Sequence, residues 1–190
     1  MKFSNLLVGA CGALNIINLH SYLMCFMKSA ASVKVILTRA ASGLVQASSV
    51  QAITFDQVYT DESGMGLPVP HISLTCWAEV FIVVPATANI LGKAANGIAD
   101  DLLSTAILAS RFTVFFVPSM NEVMWQKPSV QRNVRILEED GHFIVRCRDA
   151  HAGFEASSGK QISTELMPSP EETMKAIEQQ WVNAHKFSHP

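Results

Sequence analysis

Charge is scarce in this chain: 16% of its 190 residues are Asp, Glu, Lys or Arg, the formal net charge is -2, and Lys and Arg nowhere form a run. Without a basic stripe there is no electrostatic footprint for nucleic acid or for an anionic membrane. Cysteine is sparse and unpatterned. Cys11, Cys25, Cys76 and Cys147 make no C-x-x-C pair and show no metal-like spacing with the histidines, so neither a disulfide framework nor a metal site is expected, and a reducing cytoplasm is the expected setting. A long apolar run is missing too. The uncharged stretch from Phe3 to Met27 has the length of a signal peptide or a membrane span, but Gly9, Gly12, Asn15, Asn18 and His20 interrupt it. What remains uninterrupted is too short to cross a bilayer.

What is present is apolar. Hydrophobic residues make up 49% of the sequence, which at this length suits one α/β domain over residues 1–190 with a buried sheet. So little charge also leaves apolar surface for other subunits to cover. Of the 30 charged residues, 12 fall in the first 120 positions and 18 in the last 70, which places the core early.

The stretch Pro85 to Ile107, PATANILGKAANGIADDLLSTAI, organises the rest. Phe81-Ile82-Val83-Val84 before it reads as a buried strand closed by a proline that cannot continue the ladder. The turn therefore sits at a strand's carboxyl end, where open α/β sheets bind ligands. Thr87, Asn89 and the amides of the next helix start suit a flat, polar-edged cofactor there, and the plain alternative is a tight strand-to-helix turn. Upstream, Leu6-Leu7-Val8 is a first strand, Gly9 to Ala13 a turn of small residues, and Leu14 to Met27 a helix apolar almost all round. Val33 to Leu37 follows as a second strand, with Thr38 to Ser42 as a helix start bearing hydroxyls. Strand, glycine turn and helix suit a phosphate on helix amides, or simple packing, since the full dinucleotide fingerprint is missing.

Residues 51 to 70 carry few cues beyond Asp61 to Gly66, which reads as an exposed loop. His71 opens a short helix running to Trp77 and into the Val80 to Val84 strand. The positive end of a helix disfavours imidazolium, which suits a general base, although a lone histidine is as readily structural. Thr113 to Val117 is another buried strand, ending in Pro118-Ser119-Met120-Asn121. Two successive strands thus end in proline with an asparagine a few residues on, and Asn89 and Asn121 are expected to converge on one crevice. Trp125 reads as core. Ser129 to Asp140 is an amphipathic helix, Phe143 to Val145 the last strand, and Cys147 to Lys160 a polar excursion with the length of a lid, or else a surface hairpin. Ser169-Pro170-Glu171-Glu172 opens a capped helix reaching about Lys186.

The Gly9 to Asn15 turn, His71 fourteen residues before Pro85, the PATAN turn, ANGIADDLLST and PSMNEVMW together resemble, in order and spacing, the homo-oligomeric flavin-containing cysteine decarboxylases. That family includes phosphopantothenoylcysteine decarboxylases of coenzyme A synthesis and peptidyl-cysteine decarboxylases that modify lantibiotic and related precursors, such as the epidermin and mersacidin enzymes. The coenzyme A enzymes carry Ala-Cys-Gly in a substrate clamp, and its cysteine protonates the intermediate. The matching Gly153-Phe154-Glu155-Ala156-Ser157-Ser158-Gly159-Lys160 has no cysteine and resembles the peptide branch. The second, peptide-bond-forming domain of many bacterial coenzyme A enzymes has no counterpart here, which points the same way.

The resemblance implies a flavodoxin-like, Rossmann-like three-layer sandwich with a parallel sheet, trimers with the flavin at subunit boundaries, and a dodecamer of four trimers. It implies FMN as the flavin, with FAD as the variant used by the mersacidin enzyme. Gly12, Ala13, Thr38 and Ser42 would surround the phosphate, and Pro85, Ala86, Thr87, Asp100, Leu103 and Ser104 the ring; Asp100 and Asp101 read equally well as helix caps. The implied substrate is a precursor peptide ending in cysteine. His71 takes the thiol proton, a hydride passes from the β-carbon to flavin, and carbon dioxide leaves a product enethiol, the precursor of aminovinyl-cysteine. Asn89 lines the reacting carbons and Asn121 holds the carboxylate, with Met124, Phe154, Ser157 and Ser158 on the substrate. Neutral amides suit this task, because a cation would stabilise the carboxylate that must depart. Two other readings keep the fold: a phosphopantothenoylcysteine decarboxylase, and a flavin-binding regulatory subunit without catalysis.

Overall fold

In the computed structural model, the described residues are 3–61, 69–147, 151–155, 159–164 and 166–186, with only the backbone given for 151–155, 160–164 and 184–186. A six-stranded sheet holds β1 (Phe3–Ala10), β2 (Ala30–Leu37), β3 (Val58–Tyr59), β4 (Val80–Ala86), β5 (Val114–Pro118) and β6 (Phe143–Ile144) in the order β3-β2-β1-β4-β5-β6. Every neighbouring pair is parallel. The chain winds outward through β2 and β3, then returns to lay β4 on the other side of β1. The connections leaving β1 and β4 consequently diverge, and a crevice opens at the carboxyl ends of those two strands.

Alternation along the strands gives the sheet two apolar faces. Leu6, Val8, Val35 and Ile82 face one core, closed by Leu23 and Phe26 of α1 (Leu19–Ser29), Val50 of α3 (Ala47–Thr54) and Ile177 of α9 (Pro170–Lys186). Leu7, Ile36, Phe81 and Phe116 face the other. It is closed by Leu74 of α4 (Pro70–Trp77), Leu91 of α5 (Ala88–Ala95), Leu103 and Ile107 of α6 (Leu102–Ala109) and Val134 of α8 (Pro128–Glu139). Single turns α2 (Arg39–Ser42) and α7 (Glu122–Trp125) follow β2 and β5. This is the expected three-layer α/β sandwich. The terminal helix starts where Ser169 and Glu172 cap each other, the Ser169 N–H donating to Glu172 Oε2 at 2.9 Å and the Glu172 N–H to Ser169 Oγ at 3.3 Å.

The structure differs from the sequence expectation in four places. Leu14–Asn18 is a 3-10 turn, and the α-helix begins only at Leu19. The Asn15 side-chain amide donates to Ser119 Oγ at 3.1 Å instead of facing solvent, and Asn competes poorly for a helix interior. β4 runs through Pro85 to Ala86 with a register shift after Val83; the missing proline N–H falls at that irregularity, where the ladder does not need it. Helix α3 and strand β3 occupy a segment that offered no strong pattern. β6 is not the last strand: the polar excursion after Cys147 contains an antiparallel hairpin, the alternative to a lid, with β7 (His151–Glu155) paired to β8 (Lys160–Thr164). Of the loop expected from Asp61 to Gly66, residues 62–66 lie outside the described residues.

His142, just before β6, accepts a hydrogen bond from the Val114 N–H on Nδ1 at 3.2 Å and meets Phe116 edge-on. Burial holds its pKa below the ordinary 6.5, against the opposing pull of Asp140. The unfolded chain therefore takes a proton there before the folded one does, so this residue's contribution is intact above about pH 6.5 and falls as the pH drops toward the folded value. In His142→Gln, thermal melts between pH 7 and 5 should lose part of the acid-induced fall in Tm seen in the parent.

Candidate functional site

Four strand ends converge on the crevice, and backbone hydrogen bonds bind them together. The Cys11 N–H donates to the Pro85 carbonyl at 3.2 Å, joining the exits of β1 and β4, and the Thr38 N–H donates to the Ala10 carbonyl at 3.0 Å, joining β2 to β1. The Ser119 N–H donates to the Ala86 carbonyl at 2.8 Å, which adds the exit of β5. Gly12 is required by this convergence. A Cβ there would stand 2.6 Å from Ala40 Cβ and 2.9 Å from the Ala40 carbonyl carbon, so only glycine lets the first turn lie against α2. The turn that carries Gly12 and Ala13 is thereby brought against α2, which Thr38 precedes and Ser42 ends.

Thr38 and Thr87 spend their hydroxyls on helix starts. Thr38 Oγ1 accepts from the Ala41 N–H at 3.3 Å and Thr87 Oγ1 from the Ile90 N–H at 3.4 Å, which caps α2 and α5 where they follow β2 and β4. Ser42 differs: its Oγ is buried and has no hydrogen-bond partner among the described residues. A buried hydroxyl without a partner costs roughly 1–3 kcal/mol, and a phosphate or ribityl oxygen in the crevice would satisfy it. The sulfur of Cys11 closes the floor. Burial pushes its thiol up to about 12, against hydrogen bonding to Thr87, so it stays protonated and serves as packing.

The turn before α6 forms the next wall. Asp101 caps that helix, its carboxylate accepting from the Ser104 N–H at 2.7 Å, while the Asp101 N–H donates to Ser104 Oγ at 3.1 Å. Lys93 of α5 binds both acids, at 2.5 Å to Asp100 and 2.6 Å to Asp101. Hydrogen bonding to Asp100 and then Asp101 raises the Lys93 pKa. Burial pushes the Asp101 carboxyl up, but Lys93 and Ser104 outweigh it and hold it below the usual range. Asp61 accepts the Leu102 N–H at 2.8 Å. The side chains of Leu103 and Ser104 are internal, at 0% and 1% exposure; Leu103 fills the space against Gly9, where an added Cβ would lie 2.3 Å from its Cδ1. Lys93 and Asp61 were not singled out from the sequence.

Asn121 caps α7 through Oδ1, which accepts the Met124 N–H at 2.8 Å. That fixes the amide orientation and leaves Nδ2 as the outward donor. Asn89 is exposed in the first turn of α5, and Met124 is 43% exposed just beyond Asn121. Both asparagines therefore stand at the carboxyl ends of adjacent strands. His71 lies in the first turn of α4, whose crossover brings that end to the same edge of the sheet. Its carbonyl accepts from Thr75 Oγ1 at 2.8 Å, and Val69 before it is held at φ 57°. Left-handed backbone at a β-branched residue costs about 1–3 kcal/mol and is held only where surrounding structure insists. Phe154 has its backbone in β7, paired with Gln161. Ser157 and Ser158 lie outside the described residues.

The profile of a family described as Flavoprotein matches residues 1–180. The chain is 34% identical to the mersacidin decarboxylase of Bacillus sp. (strain HIL-Y85/54728) over 178 residues, 94% of this chain and 91% of that one. Among solved structures, it resembles a variant of the epidermin biosynthesis decarboxylase EpiD complexed with the substrate peptide DSYTC, with a TM-score of 0.84, 27% identity and coverage of 93% and 99% of the two chains. It also resembles the FMN-dependent cysteine decarboxylase SpaF, with a TM-score of 0.74, 32% identity and coverage of 96% and 97%.

Proposed function

Because the chain belongs to the flavoprotein family, we propose that it is a flavin-dependent peptidyl-cysteine decarboxylase, acting on the C-terminal cysteine of a ribosomally made precursor peptide to give the enethiol used for aminovinyl-cysteine. The observation that carries this reading is the convergence of the β1, β2, β4 and β5 exits on one crevice, with the unsatisfied Ser42 hydroxyl on one wall and the asparagine-bearing turns on the other. Likeness to the mersacidin decarboxylase over 94% of the chain supports the peptide as substrate.

FMN fits this crevice. Gly12, Ala13, Thr38 and Ser42 hold its phosphate end, and Pro85, Ala86 and Thr87 line the ring, with Asp100, Leu103 and Ser104 fixing the turn beside it. Bound flavin supplies the two-electron oxidation of the cysteine CH2–SH group. The residues supply position and proton transfer. Asn121 presents Nδ2 to the substrate carboxylate while its own Oδ1 stays on the Met124 N–H. A neutral donor orients that group without the stabilisation a cation would give it, so carbon dioxide is free to leave. His71 takes the thiol proton as the β-carbon is oxidised. Asn89 borders the reacting carbons, Met124 packs beside them, and Phe154, Ser157 and Ser158 of the excursion close over the peptide.

The assembly we propose is a trimer, joined into a dodecamer, with the crevice at the subunit boundary. Leu14, Ile17, Leu44, Ile72, Val123 and Met124 are among the exposed apolar side chains, surface that a second copy would bury. A cytoplasmic setting suits Cys11, Cys25, Cys76 and Cys147, which form no disulfide among the described residues, and no helix among those residues is long and apolar enough to cross a membrane. Incubation with a synthetic peptide ending in cysteine tests the function. Mass spectrometry should find the combined loss of carbon dioxide and two hydrogens, and an unchanged mass with flavin bound would favour the regulatory reading.

A further inference from the structure

A cavity of about 820 Å3 lies outside the flavin crevice, between the carboxyl end of β6 and helix α9, lined among others by Arg146, Cys147, Lys175, Gln179, Gln180 and Asn183. Its volume is that of a ligand cleft, yet none of these residues belongs to the crevice. We infer that this cavity seats the stretch of precursor peptide upstream of the reacting cysteine and selects for an acidic side chain there, an inference that rests on the peptide-decarboxylase reading.

Reach supports the assignment. Asn121, the carboxylate-holding residue, caps the four-residue α7, which is about 6 Å long. Trp125 at the far end of that turn lies under Arg146, 5.9 Å from guanidinium carbon to ring centroid. The path from Asn121 to Arg146 is therefore on the order of 12 Å, the span of three or four extended residues. A peptide anchored by its terminal carboxylate at Asn121 meets the cavity with the residues three to four places before its cysteine.

Chemistry supports it as well. Lys175, Gln179 and Asn183 recur every four residues and so line one stripe of α9. Each amide offers both a donor and an acceptor, the complement of a peptide backbone. Among the charged groups, Glu172 directs its carboxylate to the Ser169 N–H and hydroxyl at 2.9 and 2.8 Å. Arg146 pairs with Glu138 at 3.1 Å, but those side chains are 37% and 41% exposed, so the pair is screened by water. Lys175 makes no ion pair among the described residues. The cavity lining thus carries two cations, Arg146 and Lys175, against the single carboxylate of Glu172.

The test uses hexapeptides ending in cysteine with Asp or Lys at the third and fourth positions before it, together with an N-acetylated dipeptide ending in cysteine. With the holoenzyme, kcat/KM for the Asp peptide should exceed that for the Lys peptide by about fivefold, the reach of one or two screened ion pairs, and the gap should shrink as salt rises. Lys175→Glu, an exposed substitution that leaves the Arg146–Trp125 contact in place, should abolish or invert the order without changing turnover of the dipeptide. Fluorescence anisotropy of labelled hexapeptides carrying serine in place of cysteine should show the same inversion with no chemistry involved. Equal binding of both hexapeptides, or a preference unchanged in Lys175→Glu, overturns the inference. Failure to decarboxylate any peptide, dipeptide included, counts against the enzymatic reading, while the anisotropy result still decides the docking site.

Discussion

Replacing His71 by Asn should lower turnover of a cysteine-terminated peptide by on the order of a thousandfold, the usual weight of a positioned general base, while the protein stays yellow. The two halves of this expectation come from separate parts of the structure. The proposed flavin site is built from the turns leaving β1, β2 and β4, which the Cys11, Thr38 and Ser119 amides tie together; His71 belongs to none of them. It sits at the start of α4, which Pro70 opens and the Thr75 hydroxyl buttresses from inside. Asparagine keeps a polar side chain of similar reach but cannot accept a proton at neutral pH. Equilibrium titration with FMN should give the parent's affinity, and stopped-flow mixing with peptide should leave the flavin absorbance unbleached. Turnover near the parent rate would remove His71 from the chemistry.

The second large effect concerns the form of the product. Mixed with peptide in the absence of oxygen, the enzyme should bleach its oxidised flavin in a single turnover and release a product lacking carbon dioxide and two hydrogens. The excursion after Cys147 supplies no Ala-Cys-Gly acid to protonate the reacting carbon, so the electron pair taken from the β-carbon has no route back to the intermediate. Admitting oxygen should restore both colour and turnover. Cys147 itself faces the cavity beside α9, and Cys147→Ser should leave the product mass unchanged. A saturated aminoethanethiol formed with the flavin still oxidised would instead place the protein with the coenzyme A enzymes.

The sheet was legible where burial is complete. Runs such as Phe81-Ile82-Val83-Val84 are apolar on both faces because helices cover both, and no alternative environment suits them. Residues 51 to 70 were opaque for the opposite reason: β3 contributes two residues to the sheet, too few for a period to register, and α3 offers Val50 as its large fully buried side chain. The start of α1 was misjudged because the Asn15 contact to Ser119 spans 104 positions, and no local pattern encodes it. At the candidate site, the turns after β4 and β5 were readable from proline, each with an asparagine a few residues on, Asn89 and Asn121. The link from Lys93 to Asp100 and Asp101 was not, since a lysine and two acids in helical surroundings read first as solvated surface.

The two edges of the sheet have a bearing on assembly. β3 and β6 are each two residues long, so neither border offers a row of free amides and carbonyls on which another chain could add a strand. Growth by end-to-end pairing, the usual route from a parallel sheet to a fibre, finds no template at either border. At the six-stranded sheet, copies of this chain are left to meet through side chains, and Leu14, Ile17 and Val123 are among the exposed apolar ones. In the assembly proposed above, association and cofactor retention are coupled: each subunit that docks would withdraw the rim of its neighbour's site from water, so dilution that separates the subunits should also release the yellow colour.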